Sequence, residues 1–220
     1  MSEKLKIVFP DTYEGFRANL DILEEMKGAL YHMGIKIKTV EEDAKNERYR
    51  KVVSTVLPVL AENRSVLLTS NGVNDLQAIA ELLTFCWALS CKRRMWVVET
   101  AAMVKAFMVD SRASWDEDAE KLIKNMHSGL LVWKNVVEQV GGAEKQTGRV
   151  LELLRWRSRN RQPVLYTAVV PESKVNSRPL DLVCDKLRLM FGDSMVLLLM
   201  ETMDHFHLAG KVQKPKTKIL

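Results

Sequence analysis

Cysteine is scarce in this chain: Cys86, Cys91 and Cys184 are its three among 220 residues. An odd count without C-x-x-C spacing supports neither a disulfide framework nor a zinc cage, and a reducing cytoplasm is the expected location. No run of about 18 apolar residues is free of charge, so no membrane span is expected. The first residues, Met-Ser-Glu-Lys-Leu-Lys, lack the long apolar region and small-residue cleavage site of a signal peptide. Also missing are a G-x-S-x-G elbow, a Gly-rich dinucleotide turn and any other nucleophile–base constellation, so an enzyme with such chemistry has little support. Internal repeats and low-complexity stretches are absent too. What is present is a hydrophobic content of 47%, enough for a substantial core, with 28% charged residues and a net charge of +5. The basic balance fits nucleic acid or an acidic partner without choosing between them.

Strand-like and helix-like segments alternate along the chain, the pattern of a mainly parallel sheet covered by helices. Lys6–Phe9 reads as a short strand and Tyr13–His32 as an amphipathic helix, with Phe16, Leu20, Leu23, Met26 and Leu30 at three- and four-residue spacing and Gly34 as its stop. Ile35–Val40 alternates like a half-exposed strand. Residues 1–40 thus form a βαβ-like N-terminal extension, and Glu41–Ala61 is one expected helix. Further strands are expected at 65–69, 95–98, 129–133, 163–167 and 195–199. Expected helices lie near 75–91, 100–109, 117–127, 144–160 and 178–190. Residues 41–209 then make one α/β domain, and 210–220, with Lys211, Lys214, Lys216 and Lys218, a flexible basic tail.

Several segments fall in a familiar order. Asn63-Arg-Ser-Val-Leu-Leu leads into a first core strand, and Thr69-Ser-Asn-Gly-Val-Asn-Asp-Leu76 turns from it into the helix Asp75–Ser90. Arg94-Met-Trp-Val-Val-Glu-Thr supplies a second strand and Ser128-Gly-Leu-Leu-Val-Trp-Lys-Asn a third. Arg159-Asn-Arg-Gln-Pro-Val-Leu-Tyr-Thr-Ala-Val carries a basic helix end, a proline and a fourth strand, and Asp181–Phe206 a closing helix and fifth strand. Residues 41–206 resemble the AAA+ ATPase domain of DnaC/DnaI-type helicase loaders and IstB-like ATPases. The resemblance implies a three-layer αβα fold of the P-loop NTPase type with a five-stranded, mainly parallel sheet.

The chemistry-bearing motifs of that family are missing from this frame. The G-x-x-x-x-G-K-[ST] loop would place glycines at Thr69 and Asn74, a lysine at Asp75 and a hydroxyl at Leu76; only Gly72, at a variable position, is a glycine. An aspartate repels the triphosphate that a lysine would hold. Lys134 and Asn135 stand where two acids would serve Mg²⁺ and water, and Val169 where a polar sensor would stand. Asp181 and Lys186 match the arginine-finger box, with Arg188 as a displaced substitute, and Asp204-His205-Phe206 lies near the second sensor. The expectation is a vestigial nucleotide site, no cofactor, no metal and no ATPase activity. Asp75 and Lys134 reverse the usual lysine–aspartate pair, so two readings stand: an ion pair closing the site, or two indifferent solvated charges.

Arg155-Trp-Arg-Ser-Arg-Asn-Arg161 is the densest positive cluster. Arg155, Arg157, Arg159 and Arg161 with Trp156 fit phosphate contact and base stacking; they equally fit a solvated helix C-terminus with Trp156 turned inward. Lys92-Arg93-Arg94 is ambiguous in the same way. His205 and His207 make an H-x-H pair, two ligands where a metal site needs more. The leading expectation is a non-catalytic interaction, regulatory or scaffold subunit in DNA replication, recombination or a mobile-element system. Its partner would be itself, an active AAA+ relative, or a replication or recombination factor. The alternative is a nucleic-acid-binding module using 155–161 and the tail.

Overall fold

The computed structural model describes residues 37–91, 95–111, 117–170 and 178–208. The expected strand Lys6–Phe9, helix Tyr13–His32, stop at Gly34, cluster Lys92-Arg93-Arg94 and tail 210–220 lie outside the described residues. Helix α1 (Ile37–Ala44) leads into α2 (Glu47–Ala61), β1 (Ser65–Ser70) and the long α3 (Val73–Cys91). Strand β2 (Met95–Glu99), helices α4 (Thr100–Ser111) and α5 (Glu117–Met126), and β3 (Leu130–Lys134) follow. A 3-10 turn (Ala143–Gln146) opens α6 (Thr147–Arg159), before β4 (Val164–Val169), α7 (Pro179–Phe191), α8 (Asp193–Thr202) and β5 (Met203–Leu208).

The five strands form one parallel sheet in the order β2-β3-β4-β1-β5. Because both faces are covered, the inner strands read as continuous apolar runs rather than alternating ones. In β3, Leu130 and Val132 face a core shared with α1, α2 and α3. Leu131 and Trp133 face the opposite core, built with α4, α6, α7 and α8. This is the three-layer αβα arrangement expected from the sequence. Helix α3 is buried on nearly every side, from Leu76 and Ile79 to Phe85 and Trp87.

Two expected strands are corrected. Residues 37–40 are helical, because Val40 and Ala44, four apart, seat α1 on the core beside α3. The run Met195–Leu199 is also helical: α8 buries Met195, Val196 and Leu199 and exposes Leu197 and Met200. The fifth strand comes later, at Met203–Leu208, on the sheet edge, where polar residues are tolerated. The single helix expected at 41–61 is broken at Lys45-Asn46, where the Asn46 side chain caps α2 by accepting the Arg48 amide.

The lower end of the sheet is gathered around one cation. Arg157 of α6 is fully buried and donates to the carbonyls of Met126, Gly129 and Pro163, the last at 2.8 Å. It thereby ties the end of α5 and the entries of β3 and β4 to α6. Burial lowers its pKa to about 10, so the guanidinium stays charged at neutral pH. At the other edge, Arg64 pairs with Asp204 at 2.6 Å and joins the start of β1 to β5.

Replacing Arg157 by Met takes the donor from the Met126 and Gly129 carbonyls, each costing about 1–3 kcal/mol when left unsatisfied, whereas Pro163 still accepts the Leu131 amide. The expected outcome is a loss of roughly 2 kcal/mol or more, read as a lower urea midpoint.

Candidate functional site

The C-terminal ends of β1, β3 and β4 lie along one edge of the sheet, the usual ligand crevice of open parallel sheets. A phosphate-cradling loop needs a series of free amides between strand and helix. Here β1 runs to Ser70 and α3 begins at Val73, so only Asn71 and Gly72 connect them. The Gly72 amide is spent internally on the Ser70 hydroxyl at 3.0 Å, and its carbonyl accepts the Leu76 amide. The backbone at Gly72 is not left-handed, and an added Cβ would first meet the Asp75 side chain, at 3.8 Å.

The other positions aligned with the phosphate-loop motif have mixed surroundings. Thr69 is buried, and its hydroxyl bridges His205 Nε2 and His207 Nδ1, each at 2.9 Å. Leu76, at the hydroxyl position, is in the core. Asn74 is exposed on the first turn of α3. Asp75 puts a carboxylate on that turn, where an anion is favoured by the helix dipole. The Tyr49 hydroxyl donates to it at 2.5 Å and Arg48 lies 3.6 Å away, so α2 clasps the N-terminus of α3. Burial and the Asp75 bond raise the Tyr49 pKa to about 12.

Across the sheet, Lys134 ends β3 opposite Glu99 of β2. Asn135 follows in a left-handed conformation, with φ of 56°. Its amide donates to the Thr167 hydroxyl and its carbonyl accepts from Thr100, whose hydroxyl also takes the Trp133 indole N–H. Val169 ends β4 beside Ser70. The topology therefore brings Thr69 and Val169 together on adjacent strands, with Gly72 in the turn after β1 and Lys134 and Asn135 one strand further. The ion pair between Asp75 and Lys134 is not formed. Strand β4 separates β1 from β3, two strand spacings or about 10 Å, and Asp75 is held by Tyr49 and Arg48 instead.

Arg188 is not a free finger: it pairs with Asp193 at 2.7 Å and Asp185 at 2.8 Å. The H-x-H pair lies on edge strand β5, and among the described residues no cluster of three or more His, Cys, Asp or Glu forms there or elsewhere. Of the basic cluster, Arg157 is internal and has no surface to offer a phosphate, whereas Arg155, Arg159 and Arg161 are exposed. Trp156 is 39% exposed, not turned inward, with His127 nearly perpendicular to it at 4.9 Å. Tyr49, Arg48 and His127 escaped the sequence reading, because each meets its partner only across more than 25 residues.

The structure is similar to a crystal structure of the DnaC helicase loader, with TM-score 0.57 and 13% identity over 73% of this chain and 88% of that one. The fold is that of an AAA+ domain. A DNA replication initiation factor matches with TM-score 0.53 and 10% identity over 74% of this chain and 46% of its own. A primosome component from Streptococcus pyogenes serotype M3 matches with TM-score 0.50 and 12% identity over 80% of this chain and 97% of its own. No protein-family model and no curated protein matches the sequence. At such identities the likeness is one of fold. Within it, no helix among the described residues is long and apolar enough to cross a membrane.

Replacing Tyr49 by Phe removes a hydrogen bond to a charged group, for an expected loss of about 1.5 kcal/mol in urea unfolding. Burial, then the nearby His207, lowers the His205 pKa below its usual 6.5, so the fold disfavours the protonated ring. Its contribution to stability is complete above about pH 6.5 and is lost as pH falls through the lowered folded value. Urea midpoints measured from pH 7.5 to 5 should fall, and less steeply in His205→Gln.

Proposed function

We propose that this chain is an AAA+-like module without ATPase activity, acting as an interaction, regulatory or scaffold subunit in DNA replication, recombination or a mobile-element system. The supporting observation is the Asp75 carboxylate on the first turn of α3, clasped by Tyr49, where a nucleotide phosphate would need positive charge. Lys134 and Asn135 supply no carboxylate for Mg²⁺, and the paired Arg188 is not free to act on a neighbour's phosphate. The process is suggested by the names of the similar structures, a helicase loader, an initiation factor and a primosome component. AAA+ domains meet one another across the nucleotide site, so the partner on this reading is a second copy, an active relative, or a replication or recombination factor. The cytoplasm is its place of action.

A second reading, nucleic-acid binding, is favoured by the exposure of Arg155, Arg159 and Arg161, none of which forms an ion pair with any described residue. The two readings are compatible. The purified chain is expected to hydrolyse ATP at background rate and to give no saturable signal with a fluorescent ATP analogue. Hydrolysis abolished by substituting Asp75 or Lys134 would overturn the first reading.

A further inference from the structure

Strand β5 ends the sheet, and among the described residues it pairs only with β1, in an unbroken six-residue register without a bulge. Its sequence, Met203-Asp-His-Phe-His-Leu208, contains no lysine and no proline, two common means of blunting an edge. Its one acid, Asp204, is taken up by Arg64 at 2.6 Å. The outward edge thus keeps the regular row of backbone donors and acceptors that another strand can read.

His205 and His207 lie two residues apart and share one face of β5 with Thr69 of β1. One nitrogen of each ring, His205 Nε2 and His207 Nδ1, is fixed on the Thr69 hydroxyl at 2.9 Å. Thr69 is fully buried, so both rings rest on a group that packing holds in place. A hydrogen bond at one nitrogen is what orients a metal-ligating imidazole and sets which nitrogen is left for the metal. The remaining nitrogens, His205 Nδ1 and His207 Nε2, bond to no described residue, and His207 is exposed.

Two imidazoles are half of a tetrahedral site, and no third His, Cys, Asp or Glu among the described residues joins them. A second copy can supply the other half. Antiparallel pairing of two β5 strands about a two-fold axis normal to the sheet keeps each face on the same side. Directly opposite residues then share a face, with Cβ atoms about 5 Å apart. Centred on Phe206, the pairing sets His205 of each copy opposite His207 of the other, and the two Phe206 side chains opposite each other on the reverse face. Four imidazoles are gathered on the Thr69 face. We infer that His205 and His207 form half of a transition-metal site of the zinc type, completed when two copies of this chain pair antiparallel through β5. Imidazole nitrogen suits Zn²⁺, Cu²⁺ and Ni²⁺, whereas Mg²⁺ prefers oxygen ligands. The inference does not depend on whether the crevice after β1 holds a nucleotide.

The test is sedimentation velocity of the untagged full chain in zinc chloride, magnesium chloride or EDTA, with bound zinc counted by equilibrium dialysis. Thermal melting of each variant serves as the folding control. Zinc is expected to convert monomer to dimer with a single ion shared by the pair, EDTA to reverse it, and magnesium to have no effect. His205→Gln and His207→Gln should each abolish the zinc-dependent dimer, whereas His127→Gln should keep it. Thr69→Val, which keeps the branched shape and removes the hydroxyl, should weaken zinc binding about tenfold. Amide hydrogen exchange at residues 203–208 should slow when zinc is added. The inference fails if zinc binds each chain without dimerisation, if dimers persist in EDTA, or if either β5 glutamine variant dimerises like the parent. A zinc-dependent dimer whose residues 203–208 exchange as fast as in the monomer would overturn the pairing through β5.

Discussion

The lower half of the sheet depends on one buried guanidinium. Arg157 has no carboxylate partner; its charge is met by the carbonyls of Met126, Gly129 and Pro163. A planar fork with several donors suits this role, where lysine would present a single point charge. The consequence is geometric. Strands β3 and β4 are tied to α6 where they enter the sheet, and at their far ends lie Lys134, Asn135 and Val169. It also divides the basic cluster, turning one arginine inward and leaving its neighbours at the surface.

At the opposite end, polar groups that an ATPase would keep free are satisfied within the protein. Gly72 bonds to Ser70, Asn135 to Thr167 and Thr100, Thr69 to two histidines, and Asp75 to Tyr49. Buried or half-buried polar groups carry a desolvation cost unless they are paired, and each of these finds its partner within the chain. The clasp between α2 and α3 places a carboxylate at a helix N-terminus, the same sign of charge that a phosphate would bring there.

Much of the fold was legible because buried parallel strands announce themselves as apolar runs. Ser65–Ser70, Met95–Glu99, Leu130–Lys134 and Val164–Val169 lie within a residue or two of expectation. The run Met195–Leu199 misled for the same reason: five apolar residues fit a buried strand or a helix face equally well, and the amphipathic context of α8 decided. Ile37–Val40 showed alternation, yet the four-residue spacing of Val40 and Ala44 against α3 prevailed. At the candidate site, the substitutions at Thr69, Asp75, Lys134 and Asn135 were plain in the sequence, but the expected Asp75–Lys134 pair was not. Strand order, which places β4 between them, is a property of the assembled sheet.

By itself the sequence determined the α/β class and the places of the first four strands of the sheet. Each of these rests on residue type and short-range periodicity, which act within a few positions along the chain. Only the tertiary structure decided that Asp75 answers to Tyr49, that Arg157 is a buried fastener, and that Trp156 stands open beside His127. Those outcomes join residues between 6 and 31 positions apart, and which side chain reaches which acceptor follows from packing that no local pattern encodes.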